Sequence, residues 1–248
     1  MPAKVSPFYL DSFEVTVGRF RAFVDAYPAS KPSPGSGAHP KVPSSGWDGS
    51  WPLAQDKVAL SAGLADPGCV DFNATPVATW TPSPGPNERL PIMCLTWYEA
   101  VAFCAWDGGR LPTLAELNFA QAGGDEQRVY PWTTTKSYAA IDDSRAVYRA
   151  KPPFPTTPLA VGSKPAGVSR WGQFDLSGNV GQLTLDRLGD PPTPCDDRAK
   201  LDPKNDGMYV IGGSWGSTDS SLPSGIGGGA DQSGRSSFVG VRCVRDVR

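Results

Sequence analysis

The chain has 248 residues, and its 23 Lys and Arg against 25 Asp and Glu give a formal charge of −2 at neutral pH. The basic residues are scattered along the chain, which argues against nucleic acid as the main partner. No apolar run approaches the roughly 20 residues of a membrane-spanning helix, and the 28 Gly and 26 Pro predict a loop-rich protein with many turns.

The first third of the chain predicts one strand and one helix, followed by irregular segments. FYLDSFEVT at residues 8–16 alternates as a strand does, and Thr16 is placed to cap a helix. The apolar residues of that helix recur at helical spacing, and they are Phe20, Phe23, Val24 and Tyr27. Residues 28–56 and 66–92 are rich in Pro, Gly and Ser, which favours surface loops.

Two helices follow with clear start and stop signals. Thr96 with Glu99, and Thr113 with Glu116, match the capping box, in which the Thr side chain and the third helical residue satisfy each other's backbone N–H groups. A pair of glycines ends each helix. Beyond them, short strands are expected in four segments, LAVGS, WGQFDLSGNV, MYVIGGSW and FVGVRCVRD. Without repeats or a clear linker, residues 1–248 are expected to form one domain.

Histidine and cysteine limit the chemistry that the chain can perform. His39 is the single histidine, so it cannot build a His-rich metal centre or a Ser-His-Asp triad by itself, and it is expected to be a solvated loop residue. The cysteines have no zinc-site spacing, and they are Cys69, Cys94, Cys104, Cys195 and Cys243. Two disulfides with one remaining thiol, or five reduced thiols in a cytosolic protein, both fit this count.

Several motifs in this order resemble the formylglycine-generating enzyme family, also called sulfatase-modifying factors. The motifs are FYLDSFEVTVGRFRAFV, LTWYEAVAFCAWDGGRLPTLAELNFAQAGG, YPW, FDLSGNVGQLTLD, IGGSW and VGVRC. The resemblance covers about residues 8–246. It implies an α+β fold, the formylglycine-generating-enzyme variant of the C-type lectin fold, with little regular secondary structure.

The resemblance also shows what the chain lacks. Active members place two copper-binding cysteines between the GGSW motif and the closing strand, because paired soft thiolates select Cu(I). Between Gly212 and Val241 this chain has no cysteine. Other branches use a three-His iron site, which one histidine cannot supply. We therefore expect no catalytic residues of these two kinds and neither copper nor iron.

Four cysteines are expected in disulfides. The resemblance implies a bond between Cys104 and Cys243, and Cys69 and Cys94 lie on either side of a Pro-rich loop that their pairing would close. Cys195 would remain a free thiol of open reactivity, because Arg198 stands where some relatives carry the second cysteine of a CxxC pair.

A calcium site is the other functional element that the resemblance implies. Relatives hold Ca²⁺ in the segment matching FDLSGNVGQ, which assigns the side chain of Asp175, the carbonyls of Gly178 and Val180, and the side chain of Gln182 as ligands. Gln182 stands where the family has Glu, so weaker binding is expected. An ion-free turn is the alternative. A second family site would need Asn near Val147 and is not expected.

The leading functional hypothesis is a non-catalytic binding module, with its ligand surface in the Gly/Ser-rich C-terminal segment. The candidate ligand-binding residues are Trp215, Ser217, Asp219, Asp231 and Arg235. Ser and Gly around an aromatic residue suit adaptable recognition, here of a protein, peptide or glycan. The segment also resembles the diversified segment of variable proteins that retroelements mutate.

Two alternatives remain open. One is a metal-dependent oxidase or sulfatase-modifying enzyme with unrecognised ligands, and the other is a structural subunit of a secreted assembly. A disulfide-bonded protein would be extracellular or periplasmic. The N-terminal residues lack the charged and apolar regions of a signal peptide, so an export signal would have to be trimmed from the Met-Pro-Ala start. The oligomeric state is not predicted.

Overall fold

The computed structural model describes residues 4–134, 141–190, 192, 194–202 and 207–247. The Met-Pro-Ala start, on which the interpretation of a trimmed export signal depends, lies outside the described residues.

The helices are short, and each begins at a residue that caps it. They are α1 Val17–Asp25, α2 Lys57–Leu64, α3 Trp97–Trp106 and α4 Leu114–Ala122. Both predicted capping boxes are formed, at Thr96 with Glu99 and at Thr113 with Glu116. Helix α2 was not predicted, although the side chain of Asp56 caps it by accepting the Ala59 N–H. Asp is a favoured residue at that position, so the sequence did carry a signal.

The strands of the described residues form two small sheets. They are β1 Phe8–Leu10, β2 Gly181–Arg187, β3 Gly207–Ile211, β4 Gly227–Asp231, β5 Val239–Gly240 and β6 Val244–Asp246. The larger sheet has the order β4-β3-β2-β5, with only the β2–β5 pair parallel. The smaller sheet pairs β1 with β6 antiparallel. Strand β4 therefore lies at one edge of the larger sheet, next to β3.

The predicted strands are confirmed in part. β1, β5 and β6 lie within predicted segments and β3 begins one residue before its segment, whereas residues 159–163 and 171–180 form bends, turns and irregular chain instead of strands. Strand β4 was not predicted, because glycine is unfavourable in strands. Its pairing with β3, from Gly227 opposite Ile211 to Gly207 opposite Asp231, places these glycines in a strand.

The core joins the helices to the larger sheet. In the largest buried cluster, Phe103 of α3 stacks on Phe20 of α1, with ring centroids 4.9 Å apart. The two tryptophans of the early loop enter the same cluster, since Trp47 contacts Trp51 and Trp51 contacts Trp97. The loop is thereby packed onto the helices.

His39 is buried, contrary to the expectation of a solvated residue. Its side chain is 5% exposed, its Nδ1 accepts the Lys41 N–H, and its Nε2 lies 3.7 Å from Oε1 of Glu116. Burial and the positive charge of Arg110 lower the pKa of His39. The packing of Trp47 and Trp51 holds this loop against the helices, and the imidazole of His39 is buried with it.

Both predicted disulfides are confirmed. Cys69 is bonded to Cys94, and Cys104 of α3 is bonded to Cys243. Cys195 is a free thiol that is partly buried, and burial raises its pKa. A raised pKa disfavours the nucleophilic thiolate, which makes Cys195 a poor candidate for a reactive residue.

In the part of the chain that the structure describes, no helix is both long enough and apolar enough to span a lipid bilayer.

Candidate functional site

The C-terminal segment, residues 212–243, leaves the end of β3 in a tight turn. Gly212 and Gly213 have φ angles of 100° and 65°, a region that glycine adopts without strain. A Cβ on Gly212 would lie 2.7 Å from the carbonyl oxygen of Leu176. The turn therefore requires glycine for both conformation and space, and it directs the chain through a short 3-10 turn, Asp219–Ser221, towards edge strand β4.

Two adjacent clefts lie along this segment. The first has a volume of about 240 Å³, and its lining includes Gly213, Ser214, Ser217, Ser221, Gly227, Gly228, Gly229, Phe238 and Val239. The second has a volume of about 230 Å³, and its lining includes Trp97, Leu183, Gly229, Asp231, Gly234, Arg235, Ser236 and Val239. Gly229 and Val239 border both, so the two clefts are neighbours.

Trp215 is buried, which argues against the prediction that it contacts a ligand. Its side chain is 1% exposed, and its Nε1–H donates to the carbonyl oxygen of Ser237 over 2.9 Å. The ring packs against Phe238 at a centroid distance of 4.7 Å. An indole with its N–H satisfied inside the protein supports the fold. Trp215 thus lies beneath the C-terminal segment.

Ser217 lines the first cleft. Its Oγ accepts the Ser214 N–H over 3.0 Å, and its carbonyl accepts the Arg149 N–H over 2.8 Å. Asp219 lies outside the residues that line the two clefts, at the start of the 3-10 turn. Its charge adds to burial in raising the pKa of Tyr148.

Asp231 and Arg235 both line the second cleft. Oδ1 of Asp231 accepts the backbone N–H groups of Ser233 and Gly234, so this carboxylate holds the turn after β4. Arg235 donates to both carboxylate oxygens of Glu99, over 2.6 and 2.8 Å, and to the carbonyl of Cys94 over 2.7 Å. The structure therefore brings Ser217, Asp231 and Arg235 to the clefts, with the guanidinium of Arg235 already engaged.

The predicted calcium ligand Gln182 makes two other contacts. Its Oε1 accepts the Nε–H of Arg242 over 3.0 Å, and its Nε2 donates to the carbonyl of Asp175 over 2.8 Å. Arg242 is completely buried and also donates to the carbonyls of Asp11 and Phe174. The side-chain oxygen of Gln182, which was expected to bind a metal ion, thus accepts a hydrogen bond from a guanidinium instead.

Two buried carboxyl groups belong to the same region. Asp175 accepts the Gly162 N–H over 2.6 Å, and Glu14 accepts from the side chain of Asn179 and the N–H of Val180. Burial raises the pKa of Asp175, and burial together with the charge of Asp175 raises the pKa of Glu14. The positive charge of Arg242 opposes both shifts.

These contacts do not fit the predicted calcium site. Without Gln182, the predicted ligands that remain are the Asp175 carboxylate and the carbonyls of Gly178 and Val180. Ca²⁺ takes six to eight oxygens. A divalent ion would also lie beside the buried charge of Arg242. Across the described residues, no group of three or more His, Cys, Asp or Glu is arranged to hold a metal ion.

Sequence reasoning missed three residues beside the first cleft. The guanidinium carbon of Arg149 lies 5.0 Å from the ring centroid of Phe72 and 4.5 Å from that of Phe154. Phe72 in turn stacks on Phe238 of the cleft, with centroids 4.7 Å apart. Arg149 and Phe154 belong to one loop and Phe72 to another, so no local pattern in the sequence could have brought Phe72 beside the other two.

Comparisons with known proteins agree with this architecture. Residues 2–247 match the family model described as the sulfatase-modifying factor enzyme 1-like domain. The chain is 31% identical to a formylglycine-generating enzyme of Thermomonospora curvata over 138 residues, which is 52% of this chain and 42% of that protein. It is 40% identical to the inactive C-alpha-formylglycine-generating enzyme 2 of Mus musculus over 67 residues, 25% of this chain and 22% of that protein. The matches thus span less than half of either relative.

Solved structures share the fold. PvdO from Pseudomonas aeruginosa superposes with a TM-score of 0.68 at 19% identity, covering 99% of this chain and 83% of that one. Variable protein 1 of Treponema denticola superposes with a TM-score of 0.51 at 20% identity, covering 75% of this chain and 80% of that one. With the family match, they confirm the predicted α+β, loop-rich variant of the C-type lectin fold.

Proposed function

Because the chain belongs to the family of sulfatase-modifying factor enzyme 1-like domains, we propose that it is a non-catalytic binding module with its ligand surface in the two clefts of residues 212–243. One observation carries the proposal. The segment has no cysteine between Gly212 and Val241, where the active enzymes that it resembles place their reacting pair, and the described residues lining its clefts are mostly Gly, Ser and apolar groups.

The ionisable groups support the same conclusion. Among the described residues that line the two clefts, only Asp231 and Arg235 carry charge, and both are committed to internal hydrogen bonds. General acid–base catalysis needs a group within reach of the substrate with a suitable pKa. The carboxyl groups with raised pKa, Glu14 and Asp175 among them, are buried and lie outside the lining of either cleft.

The ligand is proposed to be a protein or peptide, in preference to a glycan. Strand β4 lies at the edge of its sheet, and an exposed strand edge offers backbone donors and acceptors to an extended segment of another chain. Its residues Gly227–Gly229 are exposed. Without side chains, they leave room for a partner backbone to approach closely.

The location and the origin of this surface extend the proposal. Two disulfides favour an extracellular or periplasmic protein. The fold shared with Treponema denticola variable protein 1 suggests that the segment belongs to a diversified binding protein. Sequencing around the gene tests that point, because diversification requires a nearly identical template copy whose differences lie within the codons of residues 212–243.

Catalysis is tested directly with the protein in its disulfide-bonded form. A cysteine-containing peptide is incubated with the protein, Cu(I) and oxygen, and an aldehyde product is sought by mass spectrometry. We expect no product above the protein-free control, and an anaerobic titration should show no stoichiometric Cu(I) binding. Turnover of the peptide to the aldehyde would refute the proposal.

Binding is tested with peptides selected from a display library on the native protein. A Cβ on Gly228 would meet no atom within 4 Å, so Gly228→Tyr places a ring at the first cleft, which Gly228 lines, without disturbing the core. We expect the selected peptides to bind this variant at least tenfold more weakly. Val58→Tyr, at an exposed position on α2, is the matched control and should bind like the native protein. Equal binding to both variants would place the ligand surface elsewhere.

A further inference from the structure

Arg149 is held against two exposed aromatic rings at the margin of the first cleft. Its guanidinium carbon lies 5.0 Å from the Phe72 centroid and 4.5 Å from the Phe154 centroid. Phe72 is 61% exposed and Phe154 is 42% exposed. Large apolar side chains on a surface mark interaction sites when they cluster. Here the two rings flank a cation, so the cluster combines an apolar surface with a positive charge.

The guanidinium has no anionic partner among the residues that the structure describes. Other basic side chains of this region are paired, Arg145 with Asp142 at 3.9 Å and Lys151 with Asp143 at 3.9 Å. No ion pair or side-chain hydrogen bond involves Arg149 within the described ranges. Stacking uses the flat face of a guanidinium, whereas its N–H groups point outward in the plane. The side-chain N–H groups of Arg149 are therefore available to donate hydrogen bonds to a ligand.

Its position is fixed relative to the proposed ligand surface. The backbone N–H of Arg149 donates to the carbonyl of Ser217 over 2.8 Å, and Ser217 lines the first cleft. Phe72 stacks on Phe238, another lining residue, at 4.7 Å. The aromatic rings thus form a continuous apolar surface from the cleft to the guanidinium.

We propose that Arg149 binds the carboxylate of a ligand whose apolar part lies against Phe72 and Phe154. A guanidinium donates two parallel hydrogen bonds to a carboxylate, and one cation balances one negative charge. A doubly charged phosphate is a poorer match, because phosphate sites add further cations or rows of backbone N–H groups, and the neighbouring Lys151 is paired with Asp143. An acidic peptide with an apolar residue beside its carboxylate has the required chemistry.

This inference rests on the proposed function only for the identity of the natural ligand, and its test is independent. Sodium benzoate is titrated into the protein, replacing sodium chloride at constant ionic strength. The Nε–H signal of Arg149, assigned by its loss in Arg149→Gln, is followed by nuclear magnetic resonance. We expect a saturable shift with benzoate, and at least a fivefold weaker response to the uncharged isostere benzamide and to phenyl phosphate. A response to either that equals the benzoate response would overturn the assignment to a carboxylate.

Variants test whether benzoate binds at Arg149 or binds as any anion would. The affinity for benzoate is measured through the backbone amide signals of Ser217 and Phe238. Arg149→Gln should lower the affinity at least fivefold, whereas Arg198→Gln, at an exposed arginine that contacts no ring of the described residues, should leave it unchanged. Phe154→Leu should weaken benzoate while keeping the charge of Arg149, which tests the rings even if Arg149→Gln fails to fold. Native-like affinity in Arg149→Gln or in Phe154→Leu would contradict the proposal. A negative benzoate result combined with peptide binding at β4 would refute this inference alone.

Discussion

Arg242 and Gln182 form a hydrogen bond of 3.0 Å in the interior, with the guanidinium donating its Nε–H to the amide oxygen. The same guanidinium donates to the carbonyls of Asp11 and Phe174. It therefore links the N-terminal segment, the turn before β2 and the closing part of the chain. Its charge is also the compensation for two buried carboxyl groups, Glu14 and Asp175.

Replacing Arg242 should destabilise the fold strongly. Removing one partner from a buried charged network costs about 3–5 kcal/mol, so Arg242→Met is expected to lower the free energy of unfolding by that amount. The measurement is urea denaturation at pH 7. Arg198→Met, which removes an exposed arginine, should change stability by about 0.5 kcal/mol or less. A loss below 1 kcal/mol in Arg242→Met would show that the buried charges need no counter-charge.

Calcium should not stabilise the native protein. The oxygen of Gln182 already accepts from Arg242, and a ligand stabilises a fold only where it binds the folded state. We expect equal melting temperatures in calcium chloride and in EDTA. Gln182→Glu serves as the comparison, because it restores the carboxylate that the resembling family carries, and it is the variant in which calcium dependence could arise. A calcium-dependent rise in the melting temperature of the native protein would restore the predicted ion site.

Asp186 should make stability depend on pH. Burial raises the pKa of Asp186 to about 6, against the opposing hydrogen bonds from the Leu114 and Lys200 N–H groups. The folded protein therefore binds more protons than the unfolded chain between about pH 4 and 6, so the contribution of Asp186 to stability falls as the pH rises through that range. At 1.36 kcal/mol per pKa unit, the loss is about 3 kcal/mol.

The check compares native protein with Asp186→Asn in urea at several pH values. The stability difference, native minus variant, should decrease from pH 4 to 7 and be constant above that. A constant offset from the altered hydrogen bonds does not affect the slope. A difference that is independent of pH would mean that this carboxyl group titrates normally.

The two disulfides should contribute unequally to stability. Cys104–Cys243 joins residues 139 apart, and Cys69–Cys94 joins residues 25 apart. In the chain-entropy model the longer loop contributes about 5 kcal/mol and the shorter about 3.5 kcal/mol. Replacing each pair by alanine and comparing unfolding free energies tests this order. A larger loss for the Cys69 and Cys94 pair would show that local packing outweighs loop length.

Trp215 should behave as a core residue. Its burial against Phe238, with its N–H bonded to Ser237, predicts that Trp215→Ala lowers stability by about 3–5 kcal/mol. Asp219→Asn, on the exposed 3-10 turn, should change it by about 0.5 kcal/mol or less. Thermal denaturation of the two variants is sufficient. A native-like melting temperature for Trp215→Ala would return Trp215 to the list of candidate ligand contacts.

Local sequence patterns predicted those elements of the fold that are determined by residues close together in the chain. The boxes at Thr96 and Thr113 define helix starts with residues only three positions apart, and both are formed. Strand β4 could not be predicted in this way, because its glycines form a strand only through pairing with β3. Pairing with a strand distant in the sequence stabilises β4, although glycine has a low intrinsic preference for strands.

The candidate site shows the same division. Three of the candidate residues in the Gly/Ser-rich segment, Ser217, Asp231 and Arg235, line the two clefts. Composition could not show which way a side chain points, so Trp215 was expected to contact a ligand, whereas its ring is buried. The contact of Arg149 with Phe72 joins residues that are far apart in the chain, and a single sequence carries no sign of it.

The last part of the C-terminal segment is secured at several positions. Arg235 bonds to Glu99, Ser237 bonds to the carbonyl of Val70, and Cys243 is linked to Cys104. Gly228 lies ahead of these attachments, with open space where a side chain would project. Under the proposed function, mutations at such a position would alter what the protein recognises without weakening its scaffold. Evolution would then explore new specificities here at little risk to folding.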